Sequence, residues 1–224
     1  LNDRPILFRA AMSDMVVPYG SADPMHSWKA VHDGTEYGFG RLSNSLTLGC
    51  DCLGEIHYFN ANGISFDGSV EVIENAICLH EEDYGIQWKH NDGMGAPNEV
   101  RRSRRLVISS ISTIGNYDYG LFWYLYLDGT IEAEVKLTGI VGISAYNEDK
   151  HNPNQDLRIS KELVSPVHQH LFCMRLDWNL DGGNNQLFES EVELMPNDDS
   201  NPHGMQFQSI STHLKTEHEA QRDI

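Results

Sequence analysis

The sequence predicts an all-β protein, a large antiparallel β-sandwich, and three observations indicate this class. Runs rich in β-branched and aromatic residues recur along the chain, turn-forming residues separate them, and helical periodicity is sparse. The chain has 224 residues, which is enough for one domain with a sizeable core. We therefore expect residues 1–224 to belong to a single domain.

Four stretches carry the strand signal. Residues 46–61 read as short alternating segments broken by glycine, and residues 165–181 alternate as well. Residues 105–142 hold two β-branched and aromatic runs on either side of Asp128-Gly129, a dipeptide typical of hairpin turns. Residues 189–194 alternate acidic with apolar side chains, as a half-exposed strand would. These stretches predict antiparallel strands joined by polar loops.

The charge balance limits the partners. Sixteen Lys and Arg residues against 33 Asp and Glu residues give a formal net charge of -17, which repels nucleic acid and anionic lipid. Such a surface attracts cations, amines among them, but acidic soluble proteins are common and plain solubility is the ordinary explanation. The only basic cluster, residues 101–105, is expected to pair with neighbouring carboxylates.

Targeting signals are equally limited. No apolar run reaches the roughly 18 residues that span a bilayer, so no membrane partner is expected. No signal peptide is visible in the first residues, which favours a cytoplasmic or peroxisomal location over secretion.

The pair His168 and His170 is the first candidate site. In a strand, residues i and i+2 point to the same face, where two imidazoles can hold one transition metal. The same pattern also arises by chance among 11 histidines. A cupin would use it too, but usually with a glutamate about four residues later, where this chain has apolar residues and cysteine.

A second candidate is Tyr117, which Asn116 and Asp118 flank within an apolar run. Buried polar groups need hydrogen-bond partners, and the ordinary interpretation is a turn or bulge with a packed tyrosine. Asp33 precedes a glycine and reads locally as a turn residue. Among the cysteines, residues 50, 52, 78 and 173, one disulfide and four buried thiols both stay open.

Several segments resemble copper amine oxidases, in the family's order. Residues 113–119 (TIGNYDY) resemble its T-x-x-N-Y-[D/E] signature. Further similar segments are residues 16–20 (VVPYG), 48–54 (LGCDCLG), 78–83 (CLHEED), 122–130 (FWYLYLDGT) and 168–172 (HQHLF). The resemblance covers nearly the whole chain, from about residue 2 to about residue 221.

The resemblance implies an activity and roles for four residues. The family oxidises a primary amine with dioxygen to an aldehyde, ammonia and hydrogen peroxide. Tyr117 would be the precursor of the topaquinone cofactor, and Asp33 would be the catalytic base, buried against aromatic residues so that its pKa is raised. Tyr19 would hydrogen-bond the quinone, and Asn116 would hold it in its productive orientation. Val31 stands where the family often has an aromatic gate.

The resemblance also implies metal ligands and an assembly. His168 and His170 would be two of three copper ligands. The Asp177 side chain and the Trp178 carbonyl would belong to a peripheral calcium-type site. A disulfide between the cysteines at 52 and 78 and a homodimer are implied as well.

The resemblance matches only the N-terminal part of the family's catalytic domain. No later histidine lies in a segment that resembles the third copper ligand, so we expect residues 1–224 to be a partial domain that is inactive in isolation. The alternative is a non-catalytic β-sandwich binding module derived from the family.

Overall fold

The computed structural model of the protein describes residues 4–20, 31–32, 36–95 and 97–223. Over these residues the regular structure is almost entirely β-strand, with short 3-10 helices at Phe39–Leu42 and Glu217–Ala220. The all-β class with antiparallel sheets is therefore confirmed. Within the described ranges, no helix is both long and apolar enough to cross a membrane.

The strands are numbered in chain order and pair into sheets of two, three and five strands. They are β1 (Leu7–Val17), β2 (Val31–His32), β3 (Ile56–Ile64), β4 (Val70–His90), β5 (Glu99–Ile114), β6 (Tyr117–Tyr126), β7 (Ile131–Gly139), β8 (Ser144–Ala145), β9 (Asp156–Arg158), β10 (Leu163–Pro166), β11 (Leu171–Trp178), β12 (Leu187–Leu194) and β13 (Phe207–Leu214).

The largest sheet has the order β3-β4-β5-β6-β7, and each neighbouring pair is antiparallel. The predicted hairpin at Asp128-Gly129 joins β6 to β7 and is confirmed. Gly129 has a φ of 88°, which glycine adopts without a Cβ clash, and the Asp128 carboxylate accepts the Thr130 N–H at 2.9 Å. Consecutive strands in this region therefore lie side by side.

The chain divides into two compact units, residues 13–173 and residues 1–12 with 174–224. The first contains the five-stranded sheet and a three-stranded sheet in the order β8-β10-β9. The second contains the β12–β13 pair. A fourth sheet has the order β11-β1-β2. The expectation of a single partial domain stays a prediction.

The core of the unit 13–173 collects apolar side chains from the long strands. Val107 and Cys78 are 0% exposed, and Tyr124 is 1% exposed. Between β4 and β5 the basic cluster meets carboxylates: Arg102 binds Asp83, and Arg105 binds Glu82 at 2.9 Å. The predicted charge pairing is confirmed.

The β12–β13 pair differs from its prediction in burial. The strand at residues 189–194 is present, but every residue of β12 is exposed, so both of its faces are open instead of one.

The loop that connects β12 to β13 is organised by the buried Asn201. Its side-chain amide donates to the carbonyls of Met195 and Pro196 at 3.2 Å, and its oxygen accepts the N–H groups of Met205 and Gln206.

Candidate functional site

Tyr117 begins β6 directly after a two-residue hairpin turn. Ile114 and Tyr117 are paired across the turn, which consists of Gly115 and Asn116. Gly115 has a φ of 62°, and a hairpin turn of two residues readily takes glycine at its first position. The turn with a packed tyrosine, predicted from local chemistry, is confirmed, and the rest of the site is built around it.

The segment after β7 clamps this turn. The Ile140 N–H donates to the Asn116 carbonyl at 2.7 Å, and the Asn116 side-chain amide donates back to the Ile140 carbonyl. Gly139 has a φ of 96°, and a Cβ there would lie 2.6 Å from the Asn116 carbonyl oxygen. Only glycine allows this approach, and it lets the main chain of Ile140 bond both the carbonyl and the side-chain amide of Asn116.

Below the turn, Thr113 and Asp118 face each other across the β5–β6 register. The Thr113 hydroxyl donates to the Asp118 carboxylate at 2.5 Å and accepts the Asn44 amide at 3.1 Å. The polar residues beside Tyr117 are therefore partnered, as their position in an apolar run requires.

The phenol oxygen of Tyr117 has two partners. It accepts the Gly142 N–H at 3.1 Å and forms a hydrogen bond with the Tyr19 hydroxyl. Burial, followed by the hydrogen bond with Tyr117, raises the pKa of Tyr19 well above its usual value. The Tyr19 phenol is therefore neutral at physiological pH, and its hydrogen bond with Tyr117 links the two rings at their oxygens.

The prediction that His168 and His170 lie within a strand is wrong: they lie in the extended link between β10 and β11. They still meet, because residues 18–20 run antiparallel to residues 167–169: Tyr19 forms a β-bridge with His168, and Gly20 N–H donates to Val167 O at 3.3 Å. The ring centroids of the two histidines are 5.0 Å apart. Local pairing, not a regular strand, produces the predicted juxtaposition.

The two imidazoles face Tyr117. The centroid of its ring lies 5.6 Å from each imidazole centroid, and Tyr19 stacks on His168 at 4.3 Å. The structure therefore brings together four of the predicted site residues with Asn116 in the adjoining turn.

Hydrogen bonds determine how the imidazoles can bind. His168 Nδ1 lies 2.8 Å from the Pro166 carbonyl, which only accepts, so in the neutral imidazole Nδ1 carries the proton and Nε2 has the lone pair. Burial, followed by the proximity of His168, lowers the pKa of His170. Neutral imidazole is the form that binds a transition metal, so this environment suits such an ion.

Three site residues were not singled out from the sequence. They are Tyr119, whose hydroxyl lies 3.1 Å from His170 Nδ1, and the glycines at 139 and 142. A signal for Tyr119 existed, since it lies two residues after Tyr117 and so on the same face of β6. The glycines carry no comparable signal, because their role depends on a segment 23 residues away in the chain, from 116 to 139.

A cavity of about 600 Å³ lies beside Tyr117. Its wall is mainly aliphatic and aromatic, with contributions from Met15, Val17, Tyr19, Tyr37, Ile114 and Ile143. A lining of this kind suits the apolar part of a small molecule, with polar groups at one end.

Other predicted residues are not tested by this geometry. Asp33 lies outside the described residues, and of Val31 only the backbone is described, paired with Val17. Asp177 and Trp178 end β11, where the Trp178 carbonyl accepts the Asn185 amide at 3.0 Å. Over the described ranges, no group of three His, Cys, Asp or Glu residues is placed to hold a metal ion.

The implied disulfide is not formed. Cys52 and Cys78 are free thiols, although both are buried in one cluster with Leu46. Burial, followed by the hydrogen bond with Cys52, raises the pKa of Cys78 to about 12. The alternative of four buried thiols is wrong for Cys50 and Cys173, which are exposed.

Comparison with known proteins gives a consistent result. The family model described as copper amine oxidase, enzyme domain, matches residues 1–224. Histamine oxidase of Arthrobacter globiformis is 49% identical over 98% of this chain and 32% of its own length. A peroxisomal copper-containing diamine oxidase of Nicotiana tabacum is 43% identical over 98% of this chain and 28% of its own length.

Among solved structures, a copper-containing benzylamine oxidase from Hansenula polymorpha superposes with a TM-score of 0.84 at 32% identity. The match covers 96% of this chain and 34% of that one. The chain thus spans about a third of the length of the relatives that it matches.

Proposed function

Because this chain belongs to the copper amine oxidase family, we propose that the protein carrying it converts a primary amine, dioxygen and water into an aldehyde, ammonia and hydrogen peroxide. One observation supports this above the others: Tyr117 stands at equal centroid distance, 5.6 Å, from His168 and His170. This geometry supports a phenol at the edge of the proposed two-imidazole metal site. The relatives named for histamine and diamine oxidation do not decide which amine this protein takes.

The residues present suit copper. His168 offers the Nε2 lone pair because its Nδ1 proton is donated to the Pro166 carbonyl, and His170 is favoured in the neutral form. We propose that these two imidazoles and a third histidine hold the metal. When bound, copper would supply the oxygen chemistry that turns Tyr117 into topaquinone, and the quinone would take up the electrons of the amine.

The chain's own residues position that chemistry. Tyr19 would hold the phenol oxygen of Tyr117, and later a quinone oxygen, through the hydrogen bond already present. Asn116, tied to Ile140 by its main chain and its amide, would restrain the ring from the turn side. Asp33 would remove the α-proton of the bound amine, as a carboxylate with a raised pKa can. The apolar cavity would receive the carbon skeleton of the amine.

Finer features complete the proposal. Cys52 and Cys78 would form a disulfide on oxidation, since the thiols already interact. Asp177 and Trp178 would contribute to a calcium-type site, and the whole protein would be a homodimer in the cytoplasm or a peroxisome. Two imidazoles hold copper more weakly than three, so we expect little or no quinone in the isolated 224 residues.

The test is a peptide mass map of the gene product that contains this sequence, expressed with copper and oxygen. We expect a modified Tyr117 peptide that captures phenylhydrazine, and no modified peptide after the substitution His168→Ala. The Tyr124 peptide is an internal control, because that tyrosine lies on the same strand. An unmodified Tyr117 in copper-loaded protein would refute the oxidase and favour the non-catalytic binding module.

A further inference from the structure

We propose that Tyr119 is a positioning residue that fixes the tautomer of His170, an inference that rests on the copper site of the proposed function. The Tyr119 hydroxyl and His170 Nδ1 are 3.1 Å apart. In the proposed arrangement Nδ1–H donates to the phenol oxygen, and the lone pair of Nε2 is left for the metal.

Tyr119 is well placed to act as a fixed acceptor. Its side chain is 2% exposed and packs edge-on against Phe39 at 5.7 Å and Phe172 at 6.3 Å between ring centroids. Its backbone is also held between two neighbouring strands, paired with Ser112 on β5 and Leu137 on β7. A buried, packed phenol has few rotamers, so its oxygen defines one position for the partner nitrogen.

The tautomer matters because a neutral imidazole has one protonated nitrogen, which cannot bind a metal. An unrestrained neutral histidine favours the proton on Nε2, the nitrogen that must be free here. His168 is restrained by the main-chain carbonyl of Pro166, which no side-chain substitution removes. His170 instead has a side-chain partner at Nδ1. The tautomer of His168 is therefore set by a main-chain group and that of His170 by a side-chain group. Only the second group, the Tyr119 hydroxyl, can be removed by a substitution.

The direct test reads the tautomer without metal. The ¹⁵N-labelled gene product that contains this sequence, expressed without copper, is studied by long-range ¹H–¹⁵N correlation of the imidazoles at about pH 8, above the ordinary histidine pKa. We expect the His170 proton on Nδ1 in the unsubstituted chain and mainly on Nε2 after Tyr119→Phe, which keeps the ring and removes only the hydroxyl. A His170 proton on Nε2 in the unsubstituted chain overturns the proposal, whatever the variant does.

The matched control is Tyr124→Phe. Tyr124 lies on the same strand, is 1% exposed and donates from its hydroxyl to Glu134 at 2.6 Å, so it loses an equally buried hydrogen bond away from the histidines. We expect this variant to leave the His170 tautomer unchanged. If both variants move it equally, the effect is general loosening of the sheet and the positioning role is wrong.

A second readout is copper(II) affinity, measured by competition with a chelator. Loss of an outer hydrogen bond to a metal ligand weakens binding by about 10- to 100-fold, which we expect for Tyr119→Phe and not for Tyr124→Phe. Equal affinity of the Tyr119→Phe and unsubstituted chains overturns the proposal. If the unsubstituted chain binds copper no better than a His168→Ala variant, the metal site of the proposed function fails instead, and the tautomer measurement still decides the role of Tyr119.

Discussion

Two antiparallel hairpins in this molecule have similar backbones and different surroundings. The β5–β6 hairpin runs in unbroken register from Arg105–Tyr126 to Ile114–Tyr117, and β12–β13 does so from Leu187–Leu214 to Leu194–Phe207. The first buries several of its side chains, whereas β12 buries none. A backbone hydrogen bond contributes only about 1 kcal/mol net, and both hairpins have such bonds along their length. We therefore expect the buried side chains to make the β5–β6 hairpin the more stable of the two.

The connections of the two hairpins differ as well. The β5–β6 turn has two residues and is held from outside by the main chain at residues 139–142. The β12–β13 connection is longer and is held from within by Asn201. A turn held by a second segment can fix the position of a side chain such as Tyr117, as the proposed metal site would require.

The largest expected difference between the hairpins comes from Gly139→Ala and Gly204→Ala. Both glycines have positive φ, 96° and 61°. A Cβ at 139 would meet the Asn116 carbonyl at 2.6 Å, whereas at 204 it would meet the Asn197 side-chain nitrogen at 3.3 Å. We expect a loss of about 3 kcal/mol or more for Gly139→Ala, from strain plus overpacking, and about 1 kcal/mol for Gly204→Ala.

Urea unfolding followed by circular dichroism measures both glycine variants. Near-ultraviolet signals from the tyrosines report in addition whether Tyr117 and its neighbours keep their packing. An equal loss of unfolding free energy in the two variants would contradict the role of Gly139 in holding the turn. The strain of a positive φ is common to both sites, and only Gly139→Ala adds a collision with the Asn116 carbonyl.

The comparison also shows what sequence could and could not predict. Alternation and the Asp128-Gly129 turn predicted strands correctly, because they are local properties of the chain. Alternation could not predict the exposure of residues 189–194, since the same pattern fits one open face or two. Burial depends on what packs against a strand, and that information lies elsewhere in the chain.

The site shows the same division. The motif resemblance selected Tyr19, Tyr117 and both histidines, and the structure brings them together. Strand periodicity correctly predicted that His168 and His170 lie close together, but it wrongly placed them in a regular strand. They lie outside the strands, where His168 forms an isolated β-bridge with Tyr19. Gly139 was missed because its constraint is a contact with the Asn116 carbonyl, which no local pattern encodes.

A second prediction compares valines on the two hairpins. Val107 on β5 is 0% exposed, whereas Val192 on β12 is 73% exposed. Val107→Ala removes two buried methyl groups and should destabilise the protein by about 2 kcal/mol. Val192→Ala should change stability by less than about 0.5 kcal/mol, as most surface substitutions do.

The same urea titration compares the two valine variants. Their side-chain change is identical, so the difference between them reports burial alone. If Val192→Ala destabilises as much as Val107→Ala, then β12 is covered in solution, and the contrast between the hairpins is wrong.

The smallest expected effect belongs to an exposed ion pair at the outer end of β5. The hydrogen bond from Arg102, followed by that from the Gly85 N–H, lowers the pKa of Asp83 to about 2, below its ordinary value of 3.8. A depressed folded-state pKa stabilises the protein above the unfolded value, and this contribution disappears as the pH falls towards 2. Arg102→Gln should therefore be slightly destabilising at neutral pH and lose that effect between about pH 4 and pH 2.

Asp83→Asn supplies the control for this pair. It removes the carboxylate that Arg102 binds, so adding Arg102→Gln to this variant breaks no ion pair. The double-mutant cycle, measured as shifts in the urea midpoint at several pH values, isolates the interaction from other charges on β4 and β5. A coupling that persists unchanged at pH 2 would mean that Asp83 is not the partner that titrates. Added salt should reduce the coupling at neutral pH, since both side chains are about half exposed at 53% and 46%. The ion pairs between β4 and β5 thus contribute little to the free energy of unfolding. The buried side chains and the contact between Gly139 and Asn116 contribute more, and they hold the β5–β6 turn in place.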